Sequence, residues 1–200
     1  VSRIWPVELA QTLPDGGRVG LRAMRVRDQR EYAELRRRNR EWLRRWDPTN
    51  PHGPSASVSY GELLRAQRRA GRAGTAYAFG VTVDEAFAGQ VNASNVVLGA
   101  ARSFSVGYWV GQEFAGRGVT PLAVAMIGDY LFGVAALHRM EINIRPENAA
   151  SLAVVRKLGM REEGLRLRFL HIAGDWRDHR SFAVTADELG PGGLVGRLRG

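Results

Sequence analysis

Tyr108-Trp109-Val110-Gly111-Gln112-Glu113-Phe114-Ala115-Gly116-Arg117-Gly118-Val119-Thr120 decides the fold, because it runs from an extended segment through a glycine-bearing turn into a helix. Gly116 and Gly118 carry no side chain, so successive amides can converge there. The helix that follows presents unpaired N–H groups and the positive end of its dipole. Such a turn suits a pyrophosphate, and taken alone it is equally an ordinary turn. A dinucleotide fingerprint would need a third glycine where Pro121 stands, and a Walker loop would need Gly-Lys-Ser/Thr, which the chain lacks.

Downstream, the helix continues to about Gly133, with Leu122, Ala125, Met126, Ile127, Tyr130, Leu131 and Val134 apolar on most sides, so it is central and covered. His138 to Arg145 reads as a strand and Glu147 to Leu158 as a helix. Gly164 to Ile172 and Trp176 to Val184 form a closing hairpin around Ala173-Gly174-Asp175. Strand, helix and strand from Arg102 to Arg145 require a right-handed crossover between parallel neighbours. Asn148 and Ser151 lie one turn apart where the second helix begins; by residue type alone they are a helix cap and a first-turn hydroxyl. If the parallel strands ending near Val110 and Asn143 diverge, bare backbone groups line the gap, and an extended amide-containing arm can pair there as a false strand.

Upstream, Thr75 to Val83, Ala86 to Val97 and Arg102 to Val110 read as an antiparallel meander. Before it come a strand from Arg18 to Val26, a helix from Gln29 to Trp46 capped by Asp28, a proline-rich loop from Pro48 to Pro54, and a basic helix from about Ser59 to Ala70. Residues 1 to 16 read as turn-rich surface chain. The order predicts an α+β fold with a central mixed sheet of seven strands and about four helices, in one domain over residues 1–200 whose core spans about 18–187.

Length and composition narrow the function classes. Two hundred residues with 44% hydrophobic and 24% charged side chains exclude a disordered, collagen-like or coiled-coil chain. Zero cysteines exclude disulfide frameworks, thiolate zinc sites and cysteine nucleophiles. No apolar run approaches the roughly 18 residues that cross a bilayer, and Val1 to Pro6 lacks a secretory apolar stretch, so a soluble, cytoplasmic protein without membrane contact is expected. Lys157 is the sole lysine among 29 basic residues, and the net charge is +9. Such a surface attracts polyanions, ribosomal RNA among them. Arg36-Arg37-Arg38, Arg44-Arg45 and Arg68-Arg69 read as a solvated face, or as a weak contact with RNA or ribosome. His52, His138, His171 and His179 have no metal-ligand spacing, so no metal is assigned. His171 and His179 would face each other across the last hairpin as ordinary strand histidines.

Four stretches together carry a family resemblance: Asn39-Arg40-Glu41-Trp42-Leu43-Arg44-Arg45-Trp46-Asp47-Pro48; Gly107-Tyr108-Trp109-Val110 through Gly116-Arg117-Gly118; Pro146-Glu147-Asn148-Ala149-Ala150-Ser151 with Leu158-Gly159-Met160; and Gly174-Asp175-Trp176-Arg177-Asp178-His179. In order and spacing they resemble the GNAT N-acetyltransferases, in particular the RimJ/RimL branch that acetylates ribosomal-protein amino termini, and most of all the RimJ type.

The resemblance implies the GNAT fold, with the fourth and fifth strands of seven splayed, and acetyl-CoA as cosubstrate. Its acetyl-CoA loop motif, Gln/Arg-x-x-Gly-x-Gly/Ala, falls on Ala115, Gly116, Arg117, Gly118, Val119 and Thr120. Ala115 replaces the Gln/Arg and Thr120 the final small residue, which removes one expected side-chain contact. Tyr108, Trp109, Val110, Asn143, Asn148 and Ser151 complete the cofactor set. The acetyl carbonyl would point at the N–H near Val110. Many GNAT enzymes use a helix tyrosine as acid for the thiolate; Val155 stands there, and the branch's serine is Ser151. Trp42, Leu43 and Trp46 would wall the acceptor groove; by periodicity they are also the first helix's buried stripe. Glu141, on the same strand face as Asn143, and Asp178 are candidate proton acceptors and substrate contacts, each with arginine pairing as the competing reading. An α-amino group, with a pKa of about 7.7 to 8.0 against about 10.4 for lysine, needs only a weak base. The implied partner is the amino terminus of a protein, with ribosomal proteins as the candidate acceptors, met by a monomer or homodimer. The rivals are a small-amine acetyltransferase and a catalytically weak scaffold acting in ribosome assembly or RNA binding.

Overall fold

The computed structural model describes residues 4–53 and 58–199; the first three residues and the end of the proline-rich loop at Pro54 lie outside them. The strands are β1 (Leu9–Thr12), β2 (Arg18–Arg22), β3 (Tyr77–Val83), β4 (Ala86–Val97), β5 (Ser103–Val110), β6 (Arg139–Ile144), β7 (Arg161–Ile172) and β8 (Asp175–Thr185). The helices are α1 (Gln29–Arg38), α2 (Arg40–Arg44), α3 (Tyr60–Ala73), α4 (Val119–Gly133), α5 (Ala149–Lys157) and α6 (Gly193–Arg197). All strands join one sheet in the order β1-β2-β3-β4-β5-β6-β8-β7. β5 and β6 are parallel, and every other adjacent pair is antiparallel.

Eight strands replace the expected seven. Residues 1 to 16 are not turn-rich surface chain alone, because the turn at Pro14-Asp15-Gly16-Gly17 closes a hairpin: the Leu13 and Gly17 main chains bond at 2.8 Å, and the Asp15 carboxylate accepts the Gly17 N–H. β1 is four residues of edge strand bracketed by prolines, too short to show an alternation. Six helices replace the expected four. The helix from Gln29 to Trp46 breaks at Asn39, which is 4% exposed and whose side chain bonds the Leu35 carbonyl, the Glu113 carboxylate and the Gln112 N–H. An asparagine that offers the backbone such alternatives ends a helix. Asp28 does not cap α1 with its side chain; its buried carboxylate receives Arg22 through both guanidinium nitrogens, at 2.6 and 2.9 Å, and the Arg25 N–H at 2.8 Å. Beyond the expected core, which ends near residue 187, the chain forms α6. Asp129 of α4 accepts the Leu194 and Val195 N–H groups, and a Cβ at Gly128 would lie 2.6 Å from Leu194 Cδ1, so α6 packs directly on α4.

Two apolar clusters cover the two faces of the sheet. The larger packs α4, α5 and α6 against one face and takes Tyr108 and Val110. The smaller takes Leu35, Leu64, Phe87 and Trp109 beneath α1 and α3. α4 is buried along nearly its whole length, as its all-round apolarity demands.

The Arg22–Asp28 pair ties the root of α1 to the sheet. Asp28→Asn, leaving Arg22 without its counter-charge, is expected to cost about 3 kcal/mol at pH 7 in urea denaturation. Burial raises the Asp28 carboxyl, but Arg22 and the Arg25 amide outweigh it and hold the group below its ordinary 3.8. Its stabilisation is therefore complete above that value and fades as the pH falls through the depressed one, so the gap between wild type and variant should narrow in acid.

Candidate active site

The parallel ladder between β5 and β6 ends early. Its pairs are Ser103–Arg139, Phe104–Met140 and Ser105–Glu141. β5 nevertheless continues against β4 to Val110, and β6 continues against β8 to Ile144. The two strands are thus held from outside while no ladder joins them. Gly111 donates its N–H to the Ala88 carbonyl at 2.9 Å. Main-chain groups alternate in direction along a strand, so those of Trp109 face β4 and those of Tyr108 and Val110 face the seam. On the other side, Ala186 donates to the His138 carbonyl, which turns Met140, Ile142 and Ile144 toward β8 and Asn143 toward the seam.

Beyond the seam's open end lies the glycine turn. Gly116 and Gly118 have φ of +78° and +85°, in the left-handed region; a Cβ at Gly116 would meet no atom within 4 Å, so backbone conformation and not space requires glycine there. The first turn of α4 has neither a side-chain cap nor an acidic residue, and Pro121 brings no N–H to it. Arg117 turns away to Asp15 at 3.4 Å. Across the seam, Asn148 caps α5, its Oδ1 accepting the Ser151 N–H at 3.1 Å. Tyr108 Oη is buried, and among the described residues no group meets it with full hydrogen-bond geometry, the Ser151 hydroxyl beside it interacting weakly. Burial pushes this phenol up to about 12, with Ser151 pulling weakly the other way. An orphaned buried hydroxyl costs about 1 to 3 kcal/mol, and a ligand that reaches it removes the cost. The seam amides, the uncapped turn and this hydroxyl fit an extended, amide-bearing arm with a phosphorylated end.

The opposite face of the sheet is polar across the seam. Register sets Ser94, Ser105 and Glu141 in one row, Asn92 and Gly107 in the next with Asn143 and Ser181 across the gap, and Gln90 with Trp109 in a third. Ser181 Oγ donates to Asn143 Oδ1 at 2.6 Å. Glu141 accepts Arg139 at 2.8 Å and Arg166 at 3.2 Å, and Asp178 accepts the Arg168 N–H at 2.7 Å where β7 is irregular. Trp42 donates its indole N–H to the Val110 carbonyl at 3.2 Å, Leu43 is buried, and Trp46 lies under the Arg145 guanidinium at 5.4 Å. The α2 segment therefore touches both sides of the seam, and Thr49 continues it onto the His171 carbonyl of β7.

His171 and His179 do not face each other: their partners in register are Trp176 and Arg166. Arg36, Arg37 and Arg38 are each paired with a carboxylate, of Asp47, Glu34 and Glu113 respectively. Gln90, Asn92 and Ser94 escaped the sequence reading, although their alternation with Val91 and Ala93 marks a polar face, and Asn39 was quoted there without a role of its own.

Residues 18–161 match the family described as the acetyltransferase (GNAT) domain. The chain belongs to the GNAT acetyltransferases. Within them it is RimJ-like: the Mycobacterium smegmatis RimJ, solved in complex with CoA-disulfide, is 37% identical, with 98% of this chain and 95% of that one covered and a TM-score of 0.91. The [ribosomal protein uS5]-alanine N-acetyltransferase of Escherichia coli (strain K12) is 29% identical over 177 residues, 88% of this chain and 91% of that protein. The probable N-acetyltransferase YjcK of Bacillus subtilis is 27% identical over 84% of this chain and 94% of its own length. This RimJ-like protein is an acetyl-CoA-dependent N-acetyltransferase.

Tyr108→Phe removes the orphaned hydroxyl. The ligand-free variant is expected to be about 1 kcal/mol more stable than wild type by urea denaturation, and to bind CoA more weakly by calorimetry. A destabilised variant would mean that the hydroxyl has a partner.

Proposed function

We propose that the enzyme acetylates the α-amino group of a protein's amino terminus, with a ribosomal protein as the acceptor, and that the 200 residues act as one catalytic unit. The observation that carries this reading is the acceptor face: an open polar floor, with Gly107 exposed, beneath the α2 tryptophans. Neutral amide and hydroxyl groups in rows suit a peptide main chain. The carboxylates near the floor are occupied, Glu141 by two arginines, Asp47 by Arg36, Glu147 by Arg145 and Asp178 by a backbone amide. A polycationic small amine would find none of them free, and the +9 charge would repel it. The uS5-alanine acetyltransferase among the relatives supports the choice of acceptor.

Acetyl-CoA, when bound, supplies an activated acyl carbon and a thiolate leaving group. The chain's residues do the rest in this reading. Amides from Gly116 to Thr120 receive the pyrophosphate at the uncapped start of α4. Main-chain groups of Tyr108, Val110 and Asn143 pair with the pantetheine amides in the seam. The Val110 N–H stabilises the charge that develops on the acyl oxygen. Asn148 holds the first turn of α5, so that Ser151 can donate its hydroxyl proton to the departing sulfur, with Tyr108 behind it. Glu141, held by Arg139 and Arg166 on the same strand face as Asn143, lines the floor that the acceptor main chain crosses. The amine attacks directly, without an acyl-enzyme, and the absence of cysteine agrees with this. Trp42, Leu43 and Trp46 shape the mouth, and Asp178 braces the irregular stretch of β7 beside it.

Acetyl-CoA at 100 times its dissociation constant should stabilise the native protein by about 2.7 kcal/mol. Mass spectrometry of a peptide with a free amino-terminal alanine, the same peptide amino-terminally blocked with an internal lysine, and spermidine should find acetyl on the first alone. Acetylation confined to lysine or spermidine would overturn the reading.

A further inference from the structure

We propose that His179, through the Nε2 atom of its ring, is the proton acceptor that turns the acceptor ammonium into the attacking amine; this rests on the amino-terminal acetylation reading above. His179 is 3% exposed, on β8. Its Nδ1 lies 3.0 Å from the Arg177 carbonyl. A carbonyl can only accept, so Nδ1 carries the hydrogen and the neutral ring keeps its lone pair on Nε2. Nε2 has no partner among the described residues. The ring is locked by an edge-on contact with Phe169 at 5.5 Å, and Phe169 in turn carries the Arg166 guanidinium at 5.0 Å.

Position favours it as strongly as tautomer. His179 is two residues from Ser181 on the same strand, hence on the same face as Ser181 and its partner Asn143. Continuing the register one step past Ile144–Arg180 sets it level with Arg145, at the open end of the seam under Trp46. The two carboxylates that compete for the role are engaged: Glu141 accepts two guanidiniums, and Asp178 accepts a backbone N–H. Both carboxylates already accept other donors, whereas a neutral imidazole with a bare nitrogen is a good proton acceptor near pH 7.

Burial lowers the pKa of His179 below the ordinary 6.5, the Arg177 carbonyl opposes this, Arg145 adds to it, and Glu147 and Asp178 oppose it. Arg177 on its own strand and Arg166 opposite on β7 complete the charged groups around it. The ring is thus neutral when the amine arrives. The ammonium gives one proton to Nε2, directly or through one water, and the nitrogen lone pair forms the C–N bond as the C–S bond breaks. The nitrogen's second proton balances the thiol, which takes its hydrogen through Ser151, and His179 returns its proton to solvent.

The comparison is His179→Gln against wild type, on the amino-terminal alanine peptide from pH 5 to 9, with acetyl-CoA binding measured on both. The variant is expected to keep acetyl-CoA affinity within about twofold and to lose about 100-fold in kcat at pH 7, the low end for a general base. Its acidic limb should move from below 6.5 in wild type to the amine's own pKa, about 8. His179→Ala should regain activity with added imidazole. A variant with kcat within threefold of wild type and an unmoved limb would overturn the assignment. Should another amine prove to be the acceptor, the N-terminal reading fails and the same comparison is made on that amine. Nitrogen-15 NMR of the wild-type ring is independent of any acceptor: a proton on Nδ1 at pH 7 is expected, and a proton on Nε2 overturns the proposal.

Discussion

A ladder that stops three pairs after it begins governs the molecule. Extending the β5–β6 ladder would give partners to the main-chain groups of Tyr108 and Asn143 and to the Val110 N–H, the Val110 carbonyl being already taken by Trp42, and an unmet buried backbone group costs about 1 to 3 kcal/mol. Closure is therefore favourable in itself and has to be opposed. The opposition comes from outside the seam: β5 follows β4 and β6 follows β8 to their ends. Gly89 allows the close approach on the β4 side, where a Cβ would lie 2.2 Å from the Trp109 carbonyl oxygen. An arm with amides of its own can then pair as a strand would, without the sheet having to open.

What stands over the seam is positioned by buried polar contacts more than by apolar packing. α2 has five residues, too short to be stable alone. Asn39 fixes it by binding at once to α1 and to the turn after β5, while Trp42 and Thr49 pin its far side to β5 and β7. α1 in turn is rooted through Arg22 and Asp28. The sequence of dependence runs from a buried ion pair, through one asparagine, to the tryptophans at the mouth.

The meander, the buried α4, the crossover and the closing hairpin were legible because each carries a long period or a strong turn signal, and their ends differ by at most three residues from the expected ones. β1 and α6 were not legible: four residues cannot display a period of two, and a five-residue helix rich in glycine owes its form to Asp129 and the surface of α4. The break at Asn39 hid inside an unbroken helical pattern because its cause, Gln112 and Glu113, lies more than seventy residues away. At the site, the glycine turn and Asn148 could be found from local chemistry. The engagement of Glu141 by arginines was only one of two readings until Arg139 and Arg166 had positions, and the tautomer of His179 depends on a carbonyl that no spacing rule reveals.

Trp42 resolves a conflict in the seam. Val110 turns both of its main-chain groups that way, and they have opposite needs: the N–H is the donor an acyl oxygen seeks, while the carbonyl oxygen would repel it. The indole N–H takes up the carbonyl at 3.2 Å. What remains toward the gap is a donor alone, held by a strand that cannot rotate because β4 grips it to the same residue. Preorganisation of this kind is effective because no group has to reorient as charge develops. In the proposed function it would also join the two halves of the site, since the residue that satisfies the carbonyl belongs to the helix proposed to wall the acceptor groove. A displacement of α2 would expose the Val110 carbonyl and, on the proposed assignment, loosen the groove with it.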